Sequence, residues 1–287
     1  MHLGTIRTGD GDTRAAVRED SDWILLDAAD VGALITDPQW RDRAKTALAN
    51  PATARVPERD AVLAAPIQRP AKIVCCGLNY HDHIVETGRD IPEYPTLFAK
   101  FADTLTDPAA DIVIDGSAQV DWEAELVVVM GAPLRRGTRE EAETAILGYT
   151  VANDISCRDW QARTLQWFQG KAWDGTTPIG PVVVTADTIS PSTGLDITCE
   201  IDGEVVQRST TRELVFDAAT LAAYVSQFTE LSPGDLILTG TPGGVGLGAN
   251  PPRWLADGQV LTTTIEGIGT LQNTMRITAP DDQGSPA

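Results

Sequence analysis

Residues 120–131 read Val-Asp-Trp-Glu-Ala-Glu-Leu-Val-Val-Val-Met-Gly, and this segment constrains the fold more than any other. The run from Leu126 to Met130 is apolar at every position, which predicts a strand buried on both faces. Glu123 and Glu125 come at the head of this strand. Because side chains in a strand alternate with a period of two, both glutamates point to the same face.

The paired carboxylates of Glu123 and Glu125 indicate a metal site. Two carboxylates side by side at the entry of a buried strand would repel each other and lose their hydration. A divalent cation resolves both problems, because hard cations take carboxylate oxygens as ligands. The alternative is that the strand begins at the surface and both glutamates are solvated, as acidic residues usually are.

The composition is that of a globular protein with a strong acidic excess. The chain has 287 residues, 42% hydrophobic and 22% charged, which fits one large domain with or without a small companion. Its net charge of −19 argues against nucleic acid and anionic membranes as partners. An anionic substrate would therefore need local attraction from a metal, a lysine or an arginine.

Cysteine usage and the N-terminus both favour a reducing compartment. Cys75, Cys76, Cys157 and Cys199 lack CxxC spacing and predict buried free thiols rather than a disulfide framework. Residues 1–10 contain no apolar leader, and no stretch reaches transmembrane length. A cytoplasmic location is expected.

Glycine and proline divide the sequence into many short β runs. Residues 1–66 predict a small N-terminal domain, residues 70–280 a catalytic domain, and residues 281–287 a frayed tail. Few helical patterns interrupt the β runs, which favours a β-rich α+β fold. Helices are predicted near residues 37–48, 140–146 and 216–228, and strands at residues 112–114, 125–130, 148–152, 182–184, 196–201, 235–239, 260–265 and 274–277.

Imidazole chemistry must use one of two histidines. The chain has three histidines and His2 is terminal, which leaves His81 and His83. If a helix starts near residue 80, His83 and Glu86 share a face. A carboxylate beside an imidazole orients it and raises its basicity, which suits a general base acting on water. The alternative is a solvated helix start with ordinary capping residues.

A second apolar run ends at Asp154, which could complete a three-carboxylate site with Glu123 and Glu125. Three carboxylates with waters suit Mg²⁺, Mn²⁺ or Ca²⁺, whereas Zn²⁺ would prefer His or Cys. The alternative role for Asp154 is a helix N-cap. Arg158 and Gln161 follow, three residues apart on the next helix or turn.

Two further segments carry polar groups. Lys171 directly follows Gly170 and lies two residues before Trp173 in a chain with few lysines, although a surface lysine is the ordinary interpretation. Residues 239–246 read Thr-Gly-Thr-Pro-Gly-Gly-Val-Gly and lack the Gly-Lys-Ser/Thr end of a nucleotide-binding loop. A tight loop that exposes amides and Thr241 to a small anion is the better interpretation, with a plain turn as the alternative.

Taken in this order, the segments resemble the fumarylacetoacetate hydrolase family, in its shorter bacterial type. The resemblance covers about residues 70–280. Full-length eukaryotic members carry a further metal-ligating Asp before the histidine motif, and this chain has no convincing counterpart. The matching residues are Gly77, Asn79, Tyr80, His83 and Glu86; Glu123 and Glu125; Asn153, Asp154, Ser156, Arg158, Asp159 and Gln161; Lys171, Pro178, Gly180 and Pro181; and Thr239, Gly240, Thr241 and Pro242.

The resemblance implies a fold of rolled, mixed β-sheets with a small N-terminal domain, usually in a homodimer. It implies Mg²⁺ or Mn²⁺ held by Glu123, Glu125 and Asp154. The substrates of the family are small anionic β-diketo acids, 2-keto acids or their enols.

The activity that this resemblance implies is hydrolysis of a C–C bond in an acylpyruvate such as fumarylpyruvate or acetylpyruvate, with release of pyruvate. His83, oriented by Glu86, would deprotonate a water that attacks the distal carbonyl, and Lys171 or Gln161 would stabilise the oxyanion. The metal would hold the keto-acid end and the charge of the leaving enolate. The substrate would contact Arg158, Thr241, Tyr80 and Gly240.

Three alternatives stay open. Decarboxylation of oxaloacetate and isomerisation of a 2-hydroxyhepta-2,4-diene-1,7-dioate use the same enolate chemistry. A non-catalytic carboxylate-binding protein is more remote, because a binder needs ligands but no base such as His83.

Four aromatic residues lie close together in residues 160–173. They predict either a bulky substrate pocket or, more commonly, packing in the core or at a dimer interface: Trp160, Trp167, Phe168 and Trp173.

Overall fold

A computed structural model gives the fold, and it describes residues 1–9, 11–86, 88 and 90–278. The tail predicted to fray, residues 281–287, lies outside the described residues. The strands in this part of the chain are β1 His2–Arg7, β2 Thr13–Glu19, β3 Asp22–Leu25, β4 Arg55–Pro57, β5 Leu63–Ala64, β6 Ile73–Gly77, β7 Thr96–Lys100, β8 Leu105–Thr106, β9 Ile112–Asp115, β10 Val120–Asp121, β11 Ala124–Met130, β12 Ile146–Asn153, β13 Ser156–Cys157, β14 Thr177–Thr185, β15 Asp196–Ile201, β16 Glu204–Thr210, β17 Leu236–Leu238, β18 Val260–Ile265 and β19 Gly269–Thr278.

The helices are short and few, as the sequence predicts. The longest has ten residues, and no helix of the described part is both long and apolar enough to cross a membrane. The α-helices are α1 Val31–Ile35, α2 Trp40–Ala49, α3 His81–Glu86, α4 Arg139–Ala145, α5 Arg158–Gln161, α6 Phe168–Lys171 and α7 Ala218–Ser226. The predicted β-rich α+β fold is confirmed.

Two mixed sheets carry the architecture. The large sheet has the strand order β4-β3-β2-β1-β14-β12-β11-β17-β6-β7, with β5 paired to β1 and β8 to β14. The smaller sheet has the order β16-β15-β18-β19-β9. The N-terminal strands continue the large sheet, because β1 pairs antiparallel with β14 at His2↔Val184 and Leu3↔Val183. The predicted domain boundary near residues 66–70 stays a prediction.

Strand β11 is buried at all seven positions, as its apolar run predicts. Its even-numbered residues, such as Leu126 and Val128, pack in the core that also contains the small sheet. Its odd-numbered apolar residues, Val127 and Val129, pack in a second core with the N-terminal strands and helices. The period of two therefore sorts one strand between two hydrophobic layers.

Four strand ends meet at one edge of the large sheet and carry the polar motifs there. Strand β11 runs antiparallel to β12 and β17, and β17 runs parallel to β6. The start of β11 therefore lies beside the ends of β12, β17 and β6. These ends lead into residues 153–154, the glycine-rich loop after β17, and helix α3.

Candidate active site

The three predicted metal ligands lie together at this sheet edge. The ligand atoms of Glu123, Glu125 and Asp154 all lie within 4.8 Å of one another. The three residues are only 7%, 1% and 0% exposed, so they are not solvated surface carboxylates. A compact, buried set of carboxylate oxygens is the donor set that Mg²⁺ and Mn²⁺ prefer, and the group fits such an ion.

Backbone and amide contacts fix the ligands in place. The Asp154 amide donates to the Glu123 carbonyl at 2.8 Å. The Glu123 amide donates to the side-chain oxygen of Asn153 at 2.9 Å, and Asn153 in turn donates to Thr263 at 2.9 Å. Asp154 is not a helix N-cap, because the next helix begins at Arg158.

Cations surround Glu123. Lys171 donates to its Oε2 at 2.5 Å and to Asp154 Oδ2 at 3.0 Å. Arg158 donates to Glu123 Oε1 at 2.7 Å and to Asp121 Oδ2 at 2.8 Å. Burial alone would raise the pKa of Glu123, but Lys171 and Arg158 outweigh it and hold that pKa at about 2. Glu123 is therefore an anion at every physiological pH.

Glu125 is the one of the three carboxylates for which the described residues provide no ion-pair partner. It accepts a hydrogen bond from the Gly240 amide at 2.7 Å. Burial, followed by the charges of Asp154 and Glu123, raises its pKa well above the usual range. A divalent cation would relieve this cost, because it replaces the missing positive charge.

Sequence reasoning missed two charged members of the site. Lys100 is buried and donates to Asp154 Oδ1, so Asp154 lies between two lysines. Asp121 is fully buried and pairs with Arg158. A lysine that ends the apolar run Thr-Leu-Phe-Ala-Lys was the available signal for Lys100, because lysine is rarely buried without a partner.

His83 and Glu86, the predicted base and the carboxylate that orients it, lie close together on helix α3 and are called the dyad below. His83 Nδ1 lies 3.0 Å from Glu86 Oε2, and the Gly244 amide donates to Glu86 Oε1 at 3.1 Å. Burial would raise the pKa of Glu86, but these hydrogen bonds from His83 and Gly244 outweigh it and lower the pKa. The carboxylate is therefore ionised near neutral pH and can orient the imidazole.

One cavity of about 1010 Å³ opens onto the carboxylates and the dyad. Its polar lining includes eight of the eleven predicted site residues: His83, Glu86, Glu123, Glu125, Arg158, Gln161, Lys171 and Thr241. Asp154 lies behind this lining, in contact with Lys171.

Tyr80 and Gly240, predicted to contact substrate, are not among the lining residues of this cavity. Tyr80 is fully buried, and within the described residues its hydroxyl has no hydrogen-bond partner. The Gly240 amide is already donated to Glu125. In the structure Gly240 therefore contacts the predicted metal ligand Glu125 and does not line the cavity.

The remaining cavity wall is largely neutral. Leu97, Phe98, Trp167 and Val245 line it, and Phe98 packs edge-on against Trp167 at 5.7 Å between ring centroids. Trp167 lies against Gly77, where a Cβ would come within 2.4 Å of the indole. Of the other predicted aromatics, Trp160 and Trp173 pack edge-on against each other beside the core.

Replacement of Arg158 should destabilise the protein strongly. Arg158→Ala leaves the buried carboxylates of Asp121 and Glu123 without this partner, and loss of about 3–5 kcal/mol of unfolding free energy is expected. Arg158→Lys keeps the charge but loses the planar fork that reaches both carboxylates, so a smaller loss is expected. Urea denaturation measures both effects. Arg163→Ala is the control, because Arg163 is exposed and stacks on Trp160; equal losses in the Arg158 and Arg163 variants would contradict the assignment.

The fold and this site define a metal-dependent enzyme family. Residues 72–276 match the family described as fumarylacetoacetate (FAA) hydrolase, C-terminal. The match covers more than half of the chain, and the protein belongs to this family. The resemblance inferred from the motifs is confirmed.

Relatives and solved structures agree with this assignment. The rat protein named oxaloacetate tautomerase Fahd2a, mitochondrial, is 41% identical over 220 residues, which cover 76% of this chain and 70% of the rat protein. The fumarylacetoacetate hydrolase of Exiguobacterium antarcticum superposes with a TM-score of 0.83 at 31% identity, covering 97% of this chain and all of that one. The maleylpyruvate hydrolase of Sphingobium sp. SYK-6, solved with manganese and pyruvate, gives a TM-score of 0.79 at 26% identity over 96% of this chain and 99% of that one.

Proposed function

We propose that this protein is a divalent-metal-dependent enzyme that interconverts the keto and enol forms of an oxaloacetate-type 2-keto acid. The observation that carries the proposal is a three-carboxylate group and a His83–Glu86 dyad on one cavity. Tautomerisation needs an electrophile at the carbonyl oxygen and a base for the proton on the adjacent carbon. When bound, Mg²⁺ or Mn²⁺ supplies the Lewis acid that polarises the carbonyl.

The dyad supplies the proton transfer. With Nδ1 of His83 donating to Glu86, the other ring nitrogen, Nε2, is the one that can accept a proton. Nε2 would take the proton from the carbon next to the carbonyl and deliver it to the enolate oxygen, which gives the enol; the reverse reaction runs through the same two transfers. The low pKa of Glu86 keeps the carboxylate charged while the imidazole holds that proton.

The charge balance of the site suits an anionic substrate in an acidic protein. Among the described residues the buried carboxylates of the site outnumber its buried cations by one, so a divalent ion makes the site positive by one charge. A local positive charge attracts a keto acid despite the net charge of −19. The groups counted are Asp121, Glu123, Glu125 and Asp154 against Lys100, Arg158 and Lys171.

Hydrolysis of an acylpyruvate is the second candidate, and the size of the cavity favours it. A volume of about 1010 Å³ exceeds the needs of a four-carbon acid, and Leu97, Phe98 and Trp167 could pack against an acyl chain. His83 would then activate a water for attack on the distal carbonyl, and Lys171 or Gln161 would stabilise the oxyanion. The second product would be pyruvate, the ligand named for the Sphingobium structure.

A steady-state assay of the metal-loaded protein separates these reactions. The substrates are enol-oxaloacetate, acetylpyruvate, fumarylpyruvate and a hydroxyheptadienedioate, each with and without EDTA. Accelerated loss of the enol absorbance of oxaloacetate without pyruvate formation supports the tautomerase. EDTA-sensitive release of pyruvate from an acylpyruvate supports the hydrolase, and pyruvate from oxaloacetate alone supports the decarboxylase. Absence of metal-dependent turnover on all four would overturn the proposal and favour a binding protein.

A further inference from the structure

The glycine-rich loop at residues 240–248 gives its backbone amides to carboxylates of the protein itself. The sequence of this loop predicts amides that are available to a small external anion, but side chains of the site accept hydrogen bonds from them instead. The donations are Gly240 to Glu125 at 2.7 Å, Gly243 to Asp82 at 3.2 Å, Gly244 to Glu86 at 3.1 Å, and Gly246 and Leu247 to Asp121 at 2.6 and 3.0 Å. One loop therefore joins a metal ligand, the dyad and the partner of Arg158.

Asp82 is the member of this set that the proposed chemistry does not use. Its Oδ1 accepts hydrogen bonds from the Gly243 amide at 3.2 Å and the His83 amide at 2.7 Å. Its Oδ2 accepts from the Ser209 hydroxyl at 2.9 Å. The half-buried carboxylate thus connects helix α3 with the loop and with strand β16, and it is absent from the cavity lining.

Helix α3 needs such an anchor because it has only six residues. A helix of this length is not stable by itself in water, so external contacts must fix its orientation. Asn79 anchors the chain before the helix, through hydrogen bonds to Phe216 and Thr239. Asp82 lies within the helix and directly precedes His83.

Resting on the function proposed above, we infer that Asp82 is a positioning residue that locks α3 onto the glycine-rich loop and so aims His83 at the substrate carbon. A base misplaced by about 1 Å loses on the order of 100-fold in rate. The contact acts on the dyad and not on the metal ligands. Its loss should therefore lower kcat and leave the affinity for Mn²⁺ unchanged.

Two variants at this position test the inference. Asp82→Ala removes all three hydrogen bonds, and a fall in kcat of about 10- to 100-fold with unchanged KM and Mn²⁺ affinity is expected. Asp82→Asn can rebuild them, because its oxygen accepts from the two amides and its NH₂ group donates to Ser209. Asn should stay within about threefold of wild type. His81→Ala is the matched control, since His81 is exposed on the same helix.

A spectroscopic readout follows the dyad without any substrate. The chain has three histidines, so the imidazole ¹⁵N signals are assigned with His81→Ala and His83→Ala. In Asp82→Ala the His83 signals should move towards those of exposed His81, and in Asp82→Asn they should keep their wild-type positions. Unchanged signals and kcat in Asp82→Ala would overturn the inference, as would equal damage by Ala and Asn.

A substitution at Gly248 disturbs the His83–Glu86 dyad without replacing any residue of α3. A Cβ at Gly248 would come within 2.6 Å of the Glu86 carboxyl, so Gly248→Ala should push Glu86 away from His83. The same loss of kcat and the same ¹⁵N shifts are expected, again with unchanged Mn²⁺ affinity. If the wild type turns over none of the keto acids, the proposed function fails, and the ¹⁵N shifts still decide whether Asp82 positions the dyad.

Discussion

Replacement of Glu125 by glutamine should abolish divalent-metal binding and, at the same time, make the metal-free protein more stable. Glu125 is buried beside Glu123 and Asp154 and makes no ion pair among the described residues. Gln keeps the acceptor for Gly240 and removes the acidic group. Because a proposed metal ligand is lost, the affinity for Mn²⁺ should fall by more than about 100-fold. This is a larger loss than is expected from replacing a residue that only hydrogen-bonds a metal ligand.

The stability gain follows from the sign of the pKa shift. The folded-state pKa of Glu125 lies well above that of the unfolded chain, so the folded protein holds a proton that the unfolded chain releases. The stability that this bound proton provides is fully present below the ordinary Glu pKa and declines as the pH rises towards the folded-state pKa. Gln has no such decline, so the metal-free Glu125→Gln protein is expected to be more stable than the wild type at pH 7, with a smaller difference at pH 5.

Denaturant unfolding of the EDTA-treated proteins at pH 5 and pH 7, with calorimetric Mn²⁺ titration, measures both effects. Glu143→Gln is the control, because Glu143 is an exposed member of a surface ion pair with Arg139 and should change stability by less than about 0.5 kcal/mol. A Glu125→Gln variant that still binds Mn²⁺ tightly would remove Glu125 from the ligand set. A metal-free variant less stable than wild type would show that Glu125 is ionised and paired.

Replacement of His83 by alanine should lower turnover by about 10²- to 10⁴-fold while leaving metal binding intact. His83 contributes the base of the dyad, and the three carboxylates of the predicted metal site, Glu123, Glu125 and Asp154, do not depend on its hydrogen bonds. Glu86→Gln should lose less, since the imidazole remains but loses its charged partner. Steady-state kinetics at saturating Mn²⁺ measures the effect, with His81→Ala as the control.

The His83→Ala variant also tests whether the imidazole acts on the substrate or supports the metal site. Turnover near that of the wild type in His83→Ala would remove the dyad from the mechanism. Proton transfer would then have to come from Lys171 or from a water. A parallel loss of Mn²⁺ affinity would mean that the imidazole supports the metal group rather than the substrate.

Local patterns predicted the metal group because its information lies within short segments. The period of two brings Glu123 and Glu125 to one face, and the apolar run after them explains their burial. Asp154 follows from the next apolar run, whose end lies beside the start of β11 through antiparallel pairing. Each step needs only a strand and its neighbour.

The missed features depend on contacts between distant parts of the chain. Lys100 reaches Asp154 across 54 positions, and Gly243 reaches Asp82 across 161. A glycine-rich loop indicates available amides, but the sequence does not state which acceptor takes them. The pairing of β1 with β14 is equally non-local, and it joins the N-terminal strands to the rest of the large sheet.

Titration of the EDTA-treated protein with Mn²⁺, followed by electron paramagnetic resonance, tests whether this protein has a metal-dependent keto-acid site. One saturable ion per chain is predicted, with a spectrum that changes when pyruvate is added, because a 2-keto acid should bind within reach of the ion. Mg²⁺ should displace the Mn²⁺, and Glu125→Gln should not bind it. Absence of saturable binding, or a bound ion whose spectrum does not respond to any 2-keto acid, would contradict a metal-dependent keto-acid site.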